Sequence, residues 1–316
     1  MPKHDGLTTA ATLLSVVTAT ANQELFDAAF LARLESLSLL ARKIQRGRLR
    51  AERRSLQRGA SVEFAEYRPF VNGDDWRYID WNAFARWRTL VMKLFVEEED
   101  LHVHLLLDCS ASMQWGEPLK FNHARKVIAG LAYMALANLD RASISPLGGT
   151  SVSPWPSGRG KHRFLQILRY LEGCSTAVRP VRLEDEVRAW TATRPRRGLV
   201  VWVSDLWGSD PQDAFKALDR LRHARHEVAI IQIRDPAEAE AGLPGEFELE
   251  DCETGEVRRV IISPQMAREY RERFENYQTA LAAYTRKHQL PLLAADTRLD
   301  PADLLQRALV EGGFVK

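Results

Sequence analysis

Leu101-His102-Val103-His104-Leu105-Leu106-Leu107-Asp108-Cys109-Ser110-Ala111-Ser112-Met113 passes from a hydrophobic segment of strand length straight into a carboxylate and two hydroxyls. Leu199-Val200-Val201-Trp202-Val203-Ser204-Asp205 repeats the pattern, with a near-continuous apolar run ending in Ser and Asp. Short apolar runs of this kind read as strands of a parallel sheet buried on both faces. In an open α/β sheet, ligands bind outside the carboxyl ends of the strands. Asp108 and Asp205 are therefore expected to face one crevice.

Around these two segments, strand and helix patterns alternate from residue 90 onward, which signals a sheet covered on both sides. Helices are expected over Phe121–Leu139, Arg163–Leu171, Leu183–Trp190, Pro211–Ala224, Gln265–His288 and Pro301–Leu309. Further strands are expected over Arg141–Leu147, Val228–Ile233 and Leu290–Ala294. The resulting fold class is α/β: a six-stranded, doubly wound, mostly parallel, Rossmann-like sheet, preceded by a helical and small β segment. An acidic hairpin interrupts the alternation near 246–262, with six acids and no base between Glu246 and Glu256; such a loop commonly serves only solubility.

Asp108, Ser110 and Ser112 are alternate residues on the turn after a strand, so their oxygens can point to one place. Cys174-Ser175-Thr176, in a loop ahead of a helix, can add another hydroxyl. Several hard oxygens around a site with open positions suit Mg²⁺, with Mn²⁺ or Ca²⁺ as alternatives. The plainer reading is that Asp108 and Asp205 cap helices or satisfy loop amides.

Upstream, apolar residues recur at helical spacing from Glu24 to Gln45. Arg42–Arg58 then carries eight Arg or Lys against the single acid Glu52, with no aromatic residue among them. Residues 61–71 alternate as a short strand. In Gly73-Asp74-Asp75-Trp76-Arg77-Tyr78-Ile79-Asp80-Trp81-Asn82, followed by Phe84, Arg86, Trp87 and Arg88, rings and opposite charges interleave. That mixture reads as a packed, salt-bridged structural unit. The domain reading is thus a flexible extension over 1–22, a helix, basic segment and β/aromatic motif over 23–100, and the α/β domain over 101–316.

Two of these motifs, taken together and in order, resemble known families. Asp108-x-Ser110-x-Ser112, a later Thr and a strand-end Asp resemble the metal-ion-dependent adhesion site of von Willebrand factor A domains. Glu63-Phe64, Tyr67-Arg68-Pro69, Gly73-Asp74-Asp75-x-Arg77-x-Ile79-Asp80-Trp81 and Ala85-Arg86 resemble the bacterial family called domain of unknown function 58. The resemblance covers roughly residues 30 to 235. It implies that Ser110 and Ser112 ligate an ion directly and that Thr176 does so directly or through water. Asp108 and Asp205 would act directly or by holding coordinating waters. The Thr departs from the family pattern, being followed by Ala177-Val178-Arg179-Pro180 rather than an apolar position and an Ala-rich helix, and Thr150 is the alternative. The resemblance further implies a protein-interaction module rather than an enzyme, acting with a MoxR-type AAA+ ATPase in assembly or chaperone-like tasks.

Other function classes find less support. A Mg²⁺-dependent hydrolase or phosphatase would want a second Asp two residues after Asp108, where Ser110 stands, or a P-loop, which the sequence lacks. His102, His104 and His123 occupy ordinary strand and helix positions. Nucleic-acid binding through 42–58 would have to work without interleaved aromatic residues and with a net charge of only +2. Three cysteines, Cys109, Cys174 and Cys252, give no disulfide or zinc framework and point to a reducing compartment. The apolar stretch near Leu13–Val17 is too short to span a bilayer. A cytoplasmic protein without a membrane span is the expectation.

Overall fold

The computed structural model describes residues 25–37, 63–71, 74–96, 101–148, 152–177, 181–207, 211–239, 245–250 and 256–311. The extension over 1–22, the basic run over 42–58, Thr150 and Cys252 lie outside the described residues. The chain divides into two compact units, one formed by 1–41 with 102–316 and the other by 42–101. This grouping differs from the expected 23–100 segment. The helix over 28–37 (α1) belongs with the α/β unit, and its cause is a buried stripe: Phe30, Leu34 and Leu37 are buried, while Arg33 bonds Asp300 at 2.8 Å.

In the 42–101 unit, β1 (Glu63–Pro69) pairs antiparallel with β2 (Val91–Val96), with a register shift between Phe64 and Glu66. The helix α2 (Trp81–Trp87) starts at Asp80, whose carboxylate accepts from the amides of Asn82 and Ala83 at 2.9 and 3.2 Å and from the Tyr67 hydroxyl at 2.8 Å. Asp74 pairs with Arg68 at 2.8 Å. The carboxylates of Asp74 and Asp80 are therefore structural, as expected, and Trp87 and Trp81 meet Tyr67 and Phe84 edge-to-face at 5.2 and 6.3 Å, but the tryptophans are not enclosed as expected. Trp76, on a 3-10 turn over Trp76–Tyr78, and Trp81 and Trp87, on α2, are 66%, 58% and 56% exposed; a turn and a helix this short beside a two-stranded ribbon each have one buried side.

The α/β unit holds a six-stranded sheet in the order β10-β7-β6-β3-β4-β5. These are β3 (His102–Asp108), β4 (Arg141–Leu147), β5 (Trp155–Gly158), β6 (Leu199–Ser204), β7 (Glu227–Arg234) and β10 (Leu292–Asp296). All pairings are parallel except that of β5 with β4. The antiparallel edge strand β5 contains Pro156, a residue tolerated on an edge because it cannot donate to a ladder. The helices are α3 (Lys120–Ala137), α4 (Phe164–Glu172), α5 (Leu183–Ala192), α6 (Pro211–His223), α7 (Pro264–Lys287) and α8 (Pro301–Glu311). Between β7 and α7, β8 (Gly245–Glu250) and β9 (Val257–Ile262) form the expected antiparallel hairpin.

The core follows from the apolar runs. Leu105, Leu106, Leu107, Val200, Trp202 and Ile230 are fully enclosed, and α5 and α6 cover one face through Leu183, Val187, Leu218 and Leu221. At roughly 25 cal/mol per Å² of apolar surface, burial on both faces is the main source of this unit's stability. The strand order fixes where a ligand can sit. From β3 the chain winds outward through β4 and β5 on one side, then through β6, β7 and β10 on the other. The β3/β6 boundary is the topological switch point, where an open sheet leaves a crevice at the strands' carboxyl ends.

Candidate metal centre

Asp108 ends β3 and Asp205 follows β6, on either side of that switch point. Both are buried, at 0% and 3% exposure. The two loops are tied together by Ser204, whose hydroxyl donates to Asp108 Oδ2 while its Oγ accepts from the Leu206 amide at 2.8 Å. Leu206 adopts a left-handed φ of 56°, uncommon for a bulky residue. The Ser204 contact and a hydrogen bond from the Tyr277 hydroxyl to the Leu206 carbonyl hold it there.

On the β3 side, Asp108 Oδ1 accepts from the Ser110 amide at 2.8 Å, folding the turn back on itself. Ser110 and Ser112 then place their Oγ atoms 3.0 Å apart. Thr176 is brought to the same turn by two links: Ala177 N donates to the Cys109 carbonyl at 2.6 Å, and Gln114 Nε2 donates to Thr176 Oγ1. The structure thus gathers Asp108, Ser110, Ser112 and Thr176, with Asp205 adjoining. Burial first, and the Asp205 charge second, push Asp108 up to about 6. Cys109 is buried, and its thiol donates to the Leu107 carbonyl at 3.6 Å.

A family model described as protein of unknown function DUF58 matches residues 66–283. The chain belongs to this DUF58 family. Uncharacterized proteins of Mycobacterium bovis and of Mycobacterium tuberculosis are each 28% identical to it over 278 residues, covering 87% of this chain and 87% of theirs. Among solved structures, it is similar to BatB of Bacteroides thetaiotaomicron (16% identity, TM-score 0.40, covering 67% of this chain and 98% of that one). It is also similar to the manganese-loaded TRAP protein of Plasmodium vivax (19% identity, TM-score 0.31, covering 42% and 57%). TM-scores this low leave the α/β fold to be read from the strand order itself.

This DUF58 chain also places residues at the site that its sequence did not single out. Lys120, the first residue of α3, is 1% exposed, and its ammonium donates to Asp205 Oδ2 at 2.6 Å and to Glu238 Oε1. Burial alone would lower the Lys120 pKa, but Asp205 and Glu238 outweigh it and the net direction is upward. Glu238 is pushed up, chiefly by burial. No hydropathy pattern marks Lys120, because an isolated lysine at a helix start ordinarily faces water. Glu238 and Gln114 likewise carry no motif.

The donors fit a small hard cation on the β3 side. Two ligands at right angles on an octahedral Mg²⁺, with bonds of about 2.0–2.1 Å, lie about 2.9–3.0 Å apart, the separation of the two serine oxygens. All the gathered donor atoms are oxygens, as Mg²⁺, Mn²⁺ and Ca²⁺ prefer. Asp108 and Asp205 each accept a hydrogen bond at both oxygens, but Asp205 alone of the two is paired with a buried ammonium, that of Lys120 at 2.6 Å. Thr150, the alternative hydroxyl, lies outside the described residues.

Proposed function

We propose that the switch-point crevice is a divalent-metal site through which the protein grips a partner, and that the chain is an interaction module rather than an enzyme. Asp108, Ser110, Ser112 and Thr176 would hold Mg²⁺ (or Mn²⁺ or Ca²⁺), with Asp205 orienting a coordinated water. A bound ion with an open position accepts a carboxylate oxygen from the partner. The observation that carries this reading is the convergence of one buried carboxylate and three hydroxyls from two loops onto one end of the sheet. Charge supports it: Lys120 pairs with Asp205 and Glu238, which leaves the buried Asp108 beside Asp205 with no cation bonded to it among the described residues, and uncompensated buried carboxylates are costly enough to call for a cation. The partner class suggested by the family resemblance is a MoxR-type AAA+ ATPase; the site by itself specifies only an exposed carboxylate.

The test uses the full chain. Mn²⁺ uptake is expected for the wild type and to fall at least tenfold in Ser110→Ala/Ser112→Ala with the far-ultraviolet spectrum unchanged. Capture of a purified MoxR-type ATPase should require the ion and vanish with a chelator. Undiminished Mn²⁺ uptake by the double variant would remove the site, and capture indifferent to chelation would remove the mechanism.

A further inference from the structure

Asp205 and Asp108 are held in opposite ways. Among the described residues, Asp108 receives neutral donors, the Ser204 hydroxyl and the amide and hydroxyl of Ser110. Asp205 is fixed at three points: Oδ2 by Lys120 at 2.6 Å, Oδ1 by the Trp207 amide at 2.9 Å, and its carbonyl by Gln232 Nε2 at 3.2 Å. The cation that fixes it is itself anchored. Lys120 also bonds Glu238, whose other oxygen accepts from the Asp235 amide at 3.1 Å and whose carbonyl accepts from the Tyr270 hydroxyl at 2.8 Å. The Lys120 amide donates to the Trp115 carbonyl at 3.0 Å, fixing the start of α3 at the turn that follows Ser112. Burying an ammonium carries a desolvation cost that its two carboxylate partners offset, and removing one partner of such a group is expected to be strongly destabilising.

We infer that Lys120 is a positioning residue that keeps Asp205 from binding the ion directly, so that among the described residues Asp108 would be the one carboxylate to touch it. This rests on the metal reading above and deepens it. A divalent ion touched by one carboxylate and several hydroxyls retains net positive charge at its open position, which favours an anionic oxygen from outside over another water. A site in which Asp205 also ligated directly would be neutral at the ion, would hold the metal more tightly and would attract a partner's carboxylate less. Lys120 thereby sets the site for a carboxylate-bearing partner at some loss of metal affinity.

The experiment compares Glu238→Gln with Glu238→Gln/Lys120→Met in the full chain; the glutamine keeps the double variant from adding an unpaired Glu238 to the Asp108–Asp205 pair. Lys120→Met alone is run beside them, with near-ultraviolet circular dichroism reporting native packing. The probe is Mn²⁺, read by titration and by water-proton relaxation, which reports the waters on the bound ion. Expected for the double variant against Glu238→Gln are an affinity rise of at least tenfold and a fall in relaxivity per bound ion, as Asp205 replaces a water. A natively packed double variant with unchanged or weaker affinity and unchanged relaxivity overturns the role of Lys120 while leaving the metal site standing. Absence of Mn²⁺ uptake by the wild type and by every variant overturns both.

Discussion

The Ser204 hydroxyl donates to Asp108 Oδ2 across the boundary between β3 and β6, joining the two strand ends that flank the crevice. Ser204 is fully buried, so Ser204→Ala leaves a buried carboxylate short of one donor and frees the Leu206 amide. The loss is expected to be roughly 1–3 kcal/mol, seen as a lower urea midpoint at unchanged m. Saturating Mn²⁺ should narrow the deficit if the ion binds Asp108, because the carboxylate oxygen freed in the variant should bind the ion more tightly and stabilisation by a ligand grows with its affinity for the folded state. A deficit of the same size with and without Mn²⁺ would place the ion away from Asp108.

The third loop gives a graded test. Gln114 donates to Thr176 Oγ1 and orients the hydroxyl toward the turn. Thr176→Val should weaken Mn²⁺ uptake about tenfold, and Gln114→Ala by a few-fold, the usual scale for a residue that orients a ligand. If Thr150→Ala weakens uptake and Thr176→Val does not, the assignment moves to Thr150.

Asp80 and Trp81 are neighbours in sequence with opposite burial, at 5% and 58% exposed. Asp80→Ala removes the N-cap of α2 and the partner of the Tyr67 hydroxyl, which should cost about 1–2 kcal/mol. Trp81→Ala should stay within about 0.5 kcal/mol, as for other exposed positions. Urea unfolding followed by fluorescence of the remaining tryptophans checks the pair. Equal losses would mean that the Trp81 ring is covered in solution.

What could be read from the sequence divides along physical lines. The apolar runs of β3, β6 and β7 and the polar residues that end them are local signals, and they located the sheet and its carboxyl edge without any structure. β5 was not legible, since Pro156 and Gly158 in four residues read as loop, and only pairing with β4 makes it a strand. Ser110, Ser112 and Thr176 could be nominated by type and position. Their gathering depends on the links between Ala177 and Cys109 and between Gln114 and Thr176, which are long-range. Lys120 was invisible for the same reason, because a lysine's burial is decided by the carboxylates that the fold brings to it. The exposed rings of α2 show the converse: aromatic content predicts packing only where a second layer exists to receive it.

Acid should destabilise the protein through His123. This side chain lies buried on α3 with no hydrogen-bond partner for Nε2 among the described residues. Burial, and then the nearby positive charge of Lys126, lower its pKa to about 4, against weaker opposing effects of Asp300 and Asp296. The sign follows from proton uptake. As pH falls below about 6.5 the unfolded chain protonates this histidine, whereas the folded chain does so only near 4, so protons favour the unfolded state across that window. The stability lost by about pH 4.5 is roughly 2–3 kcal/mol. Asp108 acts in the opposite sense, since its raised pKa lets the folded state hold a proton that the unfolded chain gives up. The wild-type profile alone therefore mixes the two. His123→Leu separates them, because the variant keeps the Asp108 contribution and removes the histidine's. The difference in unfolding free energy, variant minus wild type, should grow in favour of the variant as pH drops from about 7 to about 4.5. A difference that stays flat over that range would show that His123 is not held neutral by its surroundings.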